Sequence, residues 1–453
     1  MKYPTSLFSS NLKINQENEF GGEISIAECS AKSLVKEFGS PLFVIDQADF
    51  YTRTNAWRDS LIAEFGGGKL YYAAKSFICV EVAKWLMELQ VNLDVCTGGE
   101  LAVAQAANFP AERIEFHGNN KSLAEIEMAV KAGVGTIVID SFIEIERIAQ
   151  VAKAAGKIQK VYLRLTPGVE AHTHDFISTA HEDVKFGFSI ASGAAMQAVD
   201  KCMSESSLQL SGVHCHIGSQ IFEVDGFNLA AQRLISVLAE FRNKYGKELP
   251  ELNIGGGYGI AYTKSEKAIE PDVILPVIAK TIKSECAKLN LAIPNISIEP
   301  GRAIAGPTTT TIYEVGTIKL VTLEDGKVRR YISVDGGMSE NIRPALYGAQ
   351  YSAFLANRPS TAKAVNTRIV GKHCETGDIL IFDLDLPEDI APGDLLAVPA
   401  TGAYGRSMAS NYNHMPRPAV VAVLHGTART ILRRENQSDL LSLDVIEAPR
   451  QLS

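Results

Sequence analysis

At 453 residues, 46% of them hydrophobic and 21% charged, the chain has apolar material for one large core and a smaller one, so two domains are expected. A net charge of −8, with no run of lysine or arginine, excludes a nucleic-acid-binding face, which would have to neutralise phosphates. The polar start MKYPTSLFSSNLKINQENEF lacks a signal-peptide core, and no stretch approaches the ~20 apolar residues of a membrane span. A cytoplasmic protein acting on a small molecule is the expectation. Cys29, Cys79, Cys96, Cys202, Cys215, Cys286 and Cys374 form neither CxxC pairs nor a disulfide framework, which points to mostly buried, reduced thiols.

The early segment SPLFVIDQADF reads as β-type with no helix before it, so residues 1 to about 45 are expected to join a β-domain formed later in the chain. From residue 69 the chain alternates short apolar runs with amphipathic segments, the pattern of βα units. Eight strands are predicted: KLYYAAK ending at Lys75, VNLDV near Asp94, RIEFHG near His117, TIVID near Asp140, KVYLRL near Leu165, LSGVHCHIG near His216, ELNIGGG near Gly255 and ISIEPG near Glu299. Helical patterns lie between them, among them ICVEVAKWLMEL, ELAVAQAAN, LAEIEMAVKAG, FIEIERIAQVAKAAG and FNLAAQRLISVLAEFRNKYG, often closed by glycine. Eight such units predict a (β/α)8 barrel over residues 46–307, with an open doubly wound sheet as the runner-up. Beyond residue 307 the segments turn short and β-rich, giving an antiparallel β-domain over 308–453 that residues 1–45 complete.

A barrel of this kind places its active site at the carboxyl ends of the strands. Lys75 closes an otherwise apolar strand there, and alternation would put Tyr71, Ala73 and Lys75 on one face. A strand-end lysine is usually just solvated. The run IGGGYG after the seventh strand and EPGR after the eighth give Lys75 a context, because glycine backbone can approach a phosphate closely and these two loops commonly build a barrel's phosphate site. Glu299 then faces the site, where a carboxylate could keep an aromatic ring nitrogen protonated; a surface glutamate is the bland alternative. His214 and His216, two apart, suggest a metal pair, but no third ligand or HExxH spacing accompanies them, so no metal is expected. Packing against an aromatic cofactor suits such a histidine better, and a core histidine is the plain reading.

The strings KLYYAAKSF, LDVCTGGEL, FHGNNKS, LRLTPGVEAHTHDFISTAHEDVKFGF, GVHCHIGSQIF, LNIGGGYGI, IEPGRAIAG, SVDGGMSENIRPALYGAQY, GKHCETGD and ATGAYGRSMASNYN, in that order from about residue 40 to 430, resemble the diaminopimelate decarboxylase family. These are alanine-racemase-fold enzymes that use pyridoxal 5'-phosphate. The resemblance implies a barrel that binds this cofactor, followed by a β-domain. Lys75 resembles the imine-forming lysine, Asp94 the residue beside it, and His216 the residue stacked on the ring, with Ser219 in the same HIGSQ string. Gly257, Gly301 and Arg302 resemble the phosphate loops, and Glu299 the partner of the ring nitrogen. Arg302, Arg343 and Tyr347 resemble substrate ligands, and Tyr404 the tyrosine near phosphate and substrate. Cys374 and Glu375 match a pair supplied across a homodimer interface, the cysteine as proton donor and the glutamate on the distal amine. The asparagine that many relatives carry soon after the lysine is missing, and Thr97 replaces a serine; neither is a catalytic partner.

The implied reaction removes carbon dioxide from an α-carbon, which requires an electron sink and an oriented breaking bond. Two arginines with Glu375 suit a substrate that is an amino acid at each end, so meso-2,6-diaminopimelate giving L-lysine is expected. An ornithine, lysine or arginine decarboxylase would instead need acidic groups for a distal cation. A racemase of the same fold would need an acid-base tyrosine on the opposite ring face and no CETGD string. A catalytically dead homologue that binds a partner would have no use for an intact Lys75, His216, Glu299 and Cys374.

Overall fold

The computed structural model describes residues 7–169 and 185–445. They fall into two compact units, the first within Asp49–Ala261 and Ser265–Pro307 and the second made of residues 7–48, 262–264 and 308–445. Residues 170–184, inside the LRLTPGVEAHTHDFISTAHEDVKFGF string, lie outside the described residues.

The first unit contains the eight expected strands, here β1 (Lys69–Ala73), β2 (Asn92–Val95), β3 (Ile114–Phe116), β4 (Thr136–Ile139), β5 (Gln159–Thr166), β6 (Leu208–His214), β7 (Glu251–Asn253) and β8 (Asn295–Ile298). Every neighbouring pair is parallel, and β8 pairs with β1, so the sheet closes into a barrel and the open-sheet alternative is excluded. Local chemistry sets where the helices start and stop. Leu123–Ala132 begins at Ser122, whose hydroxyl accepts from Glu125 N while the Glu125 carboxylate accepts from Ser122 N, and ends at Gly133 with φ +78°.

Lys121, in the FHGNNKS string, is 2% exposed. Its ammonium donates to Glu144 Oε2 at 3.0 Å, Gly118 O at 2.6 Å and Val138 O at 2.7 Å, so all three protons are used. Glu144 also accepts from the backbone nitrogens of Lys121 and Asp140, which ties together the ends of β3 and β4. Removing one partner of such a pair leaves a buried uncompensated charge. Lys121→Ala is therefore expected to destabilise the protein by about 3–5 kcal/mol, read as a lowered Tm. An unchanged Tm would show that water compensates Glu144.

In the second unit Leu42–Asp46 runs antiparallel to Thr309–Ile312 and parallel to Ala419–Val423, so the early β-type segment lies within the β-rich sheet. A helix over Ala31–Phe38 does precede it, contrary to expectation; Ser30 caps it, and Ala31 and Leu34 are its buried residues. Most pairings are antiparallel, as expected, but Arg330–Ser333 pairs with Thr367–Val370 in parallel. The core gathers Ile24, Leu34, Leu42, Val44, Ile312, Phe354, Ala397 and Val421. No helix among the described residues is long and apolar enough to cross a membrane.

Glu340 of the SENIRPALY string is 1% exposed and accepts from Gly337 N and Ser339 Oγ. Burial nevertheless pushes its carboxyl from 4.5 up to about 7. The folded pKa lies above the unfolded one, so stability present below pH 4.5 is lost as pH rises toward 7. Glu340→Gln keeps an acceptor oxygen and loses the titration. Its Tm is expected to match wild type near pH 4.5 and to exceed it at pH 8, by up to about 3 kcal/mol in stability. Parallel Tm-against-pH curves would refute the assignment.

Candidate active site

Closure of the barrel makes its first and last strands neighbours, with Ser297 opposite Lys69 and Ile298 opposite Leu70. The segments leaving β1 and β8 therefore emerge side by side. Lys75 is in the first of them, although β1 stops at Ala73 rather than at the lysine. Ser76 turns the chain, its backbone nitrogen and its hydroxyl both donating to Ala73 O. Tyr71 and Ala73 share a strand face as expected, while Lys75 leaves the alternation and sits half-buried in the turn. Glu299 immediately follows β8; it is 3% exposed, and its backbone nitrogen donates to Gly255 O at 2.9 Å.

The HCH string is likewise split. His214 ends β6 and is buried, whereas His216 is two residues into the following loop, half-buried, with no hydrogen-bond partner for Nδ1. Gly256 and Gly257 allow the loops after β6, β7 and β8 to pack backbone against backbone. A Cβ on Gly256 would lie 2.1 Å from Glu299 O, and one on Gly257, whose φ is +111°, would lie 2.4 Å from Gly218 O. Gly301 approaches Ala73 in the same way, and Arg302 Nη2 donates to Ser219 Oγ at 2.8 Å. The loops that carry Lys75, Ser219, Gly257, Gly301 and Arg302 thus converge on one end of the barrel.

Three carboxyl groups, Asp94, Glu115 and Glu299, are buried together inside that end. His117 Nε2 lies 3.6, 3.4 and 3.3 Å from their oxygens, and His214 Nε2 lies 3.1 Å from Glu299 Oε1. Three acids this close cannot all ionise. Burial and the charge of Glu299 push Asp94 and Glu115 well above the ordinary carboxylate range. For Glu299 burial acts in the same direction, but His214, His117 and Lys75 outweigh it and hold the carboxyl well below that range. Burial, then the positive charge of Lys75, pushes His216 well below the usual histidine value, so this imidazole is neutral.

His117, Glu115 and Asn253 were not singled out in the sequence. The signal was present in RIEFHG, where alternation puts Glu115 and His117 on one face of a strand that should be apolar. The expected histidine pairing is also corrected: His214 clusters with His117 and Glu299, not with His216, and the three possible metal-ligating atoms lie within 4.8 Å of one another. Both imidazole Nε2 atoms lie near the same carboxylate oxygen, at 3.3 Å from His117 and 3.1 Å from His214.

The remaining expected residues belong to the β-rich unit. Arg343 opens the short helix Arg343–Tyr347, is 5% exposed, donates to Tyr351 OH at 2.6 Å and lies over the Tyr262 ring at 4.6 Å. Tyr347 is exposed. Cys374 and Glu375 are both exposed, on the turn after the strand Ala364–Val370. Asp378 fixes that turn by accepting from His373 N and Met338 N. Tyr404 adopts φ +61°, a conformation uncommon for a residue with a side chain.

Comparison with known proteins accounts for this arrangement. Residues 47–306 match the pyridoxal binding domain of the pyridoxal-dependent decarboxylases. The diaminopimelate decarboxylase of Mycobacterium tuberculosis is 54% identical over 431 residues, covering 94% of this chain and 95% of that one. The chain belongs to the diaminopimelate decarboxylase family. The Bacillus subtilis member is 45% identical over 424 residues, 94% of this chain and 95% of its own. A crystal structure of the M. jannaschii family member in complex with L-lysine superposes with a TM-score of 0.88 at 29% identity, covering 97% of this chain and 98% of that one. The family's cofactor, pyridoxal 5'-phosphate, fits the groups present. They comprise an amine at the rim, an ionised buried carboxylate, glycine backbone close enough for a phosphate, and an imidazole with an unpartnered buried nitrogen.

Proposed function

We propose that this chain decarboxylates meso-2,6-diaminopimelate to L-lysine and carbon dioxide, as the last step of lysine formation. The observation that carries the proposal is the closure of the barrel, which brings the segments carrying Lys75 and the buried Glu299 to one end, where the charge of Lys75 helps to hold Glu299 below the ordinary carboxylate range. When bound, pyridoxal phosphate supplies the electron sink that lets a carbon–carboxylate bond break.

The chain's own residues do the rest. Lys75 would hold the cofactor through its amine. Glu299 would accept a hydrogen bond from the protonated ring nitrogen and so favour its cationic form. Neutral His216 would hold the ring by packing, and Asp94 would act with Lys75. Gly257, Gly301, Arg302, Ser219 and Tyr404 hold the phosphate end. Arg302, Arg343 and Tyr347 take the substrate's carboxylate ends and orient the breaking bond, because a guanidinium fork binds both oxygens of a carboxylate. Cys374 returns a proton to the carbon that has lost carbon dioxide, and Glu375 holds the distal amine. Both come across the interface of a homodimer. Seven unpaired cysteines suit a cytoplasmic location.

The deciding test is incubation with pyridoxal phosphate and meso-diaminopimelate. Lysine and carbon dioxide are expected in equal amounts, and ornithine, lysine and arginine should be left intact. Release of carbon dioxide from any of those three in preference would transfer the assignment to a neighbouring specificity. Arg343→Ala should raise KM for diaminopimelate by about 10- to 100-fold, the value of one charge-assisted hydrogen bond, with a smaller change in kcat. An unchanged KM would remove Arg343 from the substrate site.

A further inference from the structure

Asn253 has no place in the roles assigned above, yet its side chain is fully engaged at the centre of the site. It is the last residue of β7 and is 0% exposed. Its amide nitrogen donates to Glu299 Oε1 at 2.8 Å and to Glu115 Oε2 at 2.8 Å. Its amide oxygen accepts from Gly255 N at 2.9 Å, at the start of the glycine loop. One buried side chain therefore ties the carboxylate at the ring-nitrogen end to the backbone at the phosphate end.

The contacts to Glu299 share a pattern. Asn253 Nδ2 at 2.8 Å, His214 Nε2 at 3.1 Å and His117 Nε2 at 3.3 Å all approach Oε1. A carboxylate gripped by one oxygen presents the other. We infer that Asn253 is a positioning residue: it fixes Glu299 by Oε1 so that Oε2 faces the ring nitrogen, and it sets the glycine loop at the matching distance for the phosphate. The inference rests on the reading of Glu299 as the ring-nitrogen partner.

Asn253 also stands between two acids of the cluster. Its amide supplies one proton to each of two carboxyl groups, so neither can take a proton from the other through it. Glu115, whose Oε1 has no hydrogen-bond partner, is pushed toward its neutral form by burial, while the charges of His214, His117 and Lys75 hold Glu299 below the ordinary carboxylate range. An asparagine suits this position because it offers two N–H donors and an acceptor without adding a fourth acid. Aspartate there would keep the acceptor for Gly255 and replace the donors with another carboxyl group.

Holoenzyme loaded with pyridoxal phosphate carrying 15N in the ring tests the inference, because the 15N resonance reports directly whether the ring nitrogen is protonated. In Asn253→Asp the resonance should move to the position of an unprotonated ring, since Glu299 loses a donor and gains a neighbouring acid. Asn253→Ala should show the same displacement. It should also bind the cofactor about 10- to 100-fold more weakly than wild type, and more weakly than Asn253→Asp, because it loses the tie to Gly255 as well. Glu299→Gln is the reference for the underlying reading. If Glu299→Gln leaves the resonance at the wild-type position, Glu299 is not the ring partner and the reading beneath the inference fails. If Glu299→Gln moves the resonance and folded Asn253→Asp does not, the role of Asn253 alone is overturned. Should Asn253→Ala fail to fold, Asn253→Asp, which is nearly isosteric, still decides between these outcomes.

Discussion

Lys75→Ala is expected to lower kcat by on the order of 10⁴-fold or more and to erase the visible absorbance of the loaded enzyme, because no other group at the rim supplies a covalently held amine. Lys75→Arg should fail in the same way. It preserves the positive charge that acts on Asp94 and Glu299, but a guanidinium does not deprotonate to act as a nucleophile. That comparison separates the covalent role of the amine from its electrostatic one. The turn around Lys75 is held by Ser76 and by Ala74 N donating to Asp94 O, so neither substitution should disturb the barrel, and Tm should stay near wild type. Turnover of Lys75→Ala within about tenfold of wild type would place the cofactor attachment elsewhere.

Cys374→Ala is expected to retain bound cofactor and its absorbance while losing about 10²- to 10⁴-fold in kcat, the contribution of a positioned proton donor. The thiol is exposed on its own chain, on a turn whose geometry Asp378 maintains, so its loss should not affect folding. If a second subunit brings Cys374 to Lys75, mixing the Lys75→Ala and Cys374→Ala proteins should restore activity. Random assortment makes half of the dimers hybrid, each with one intact site of two, so about one quarter of wild-type activity is the expected ceiling. No recovery after subunit exchange, confirmed by size and labelling, would mean that each chain completes its own site. A Cys374→Ala enzyme with near-normal kcat would remove the cysteine from proton transfer.

The eight barrel strands were legible because each is a short apolar run between amphipathic segments, and local pattern decides both. Strand ends were less legible: Lys75 and His216 read as strand residues, but a side-chain hydrogen bond from Ser76 and the glycine-rich packing after β6 bend the chain first. The helix Gln47–Phe65 went unread as well. Its inward positions include Asp49 and Thr54 among Phe50, Trp57 and Leu61, so its buried stripe does not look apolar. Arg53 pairs with Asp49 at 2.9 Å, and the Thr54 hydroxyl donates to Phe50 O, which lets polar residues occupy that stripe.

The residue types that the reaction needs, the number of βα units and the glycine-rich loops after the last two strands were all determined by the sequence alone, since each depends on composition or on spacing within a few residues. The tertiary structure decided which of these groups meet. The segments carrying Lys75 and Glu299 leave the same end of the barrel because β1 pairs with β8, a contact that spans more than 200 residues of chain. Asp94, Glu115, His117, His214 and Asn253 come from four different strands, His117 directly following the β3 that holds Glu115, and only the closed sheet turns them toward one interior. Once there, they lie so close together in a buried space that not all the acids can carry charge, and the groups packed around each one select Glu299 to stay ionised.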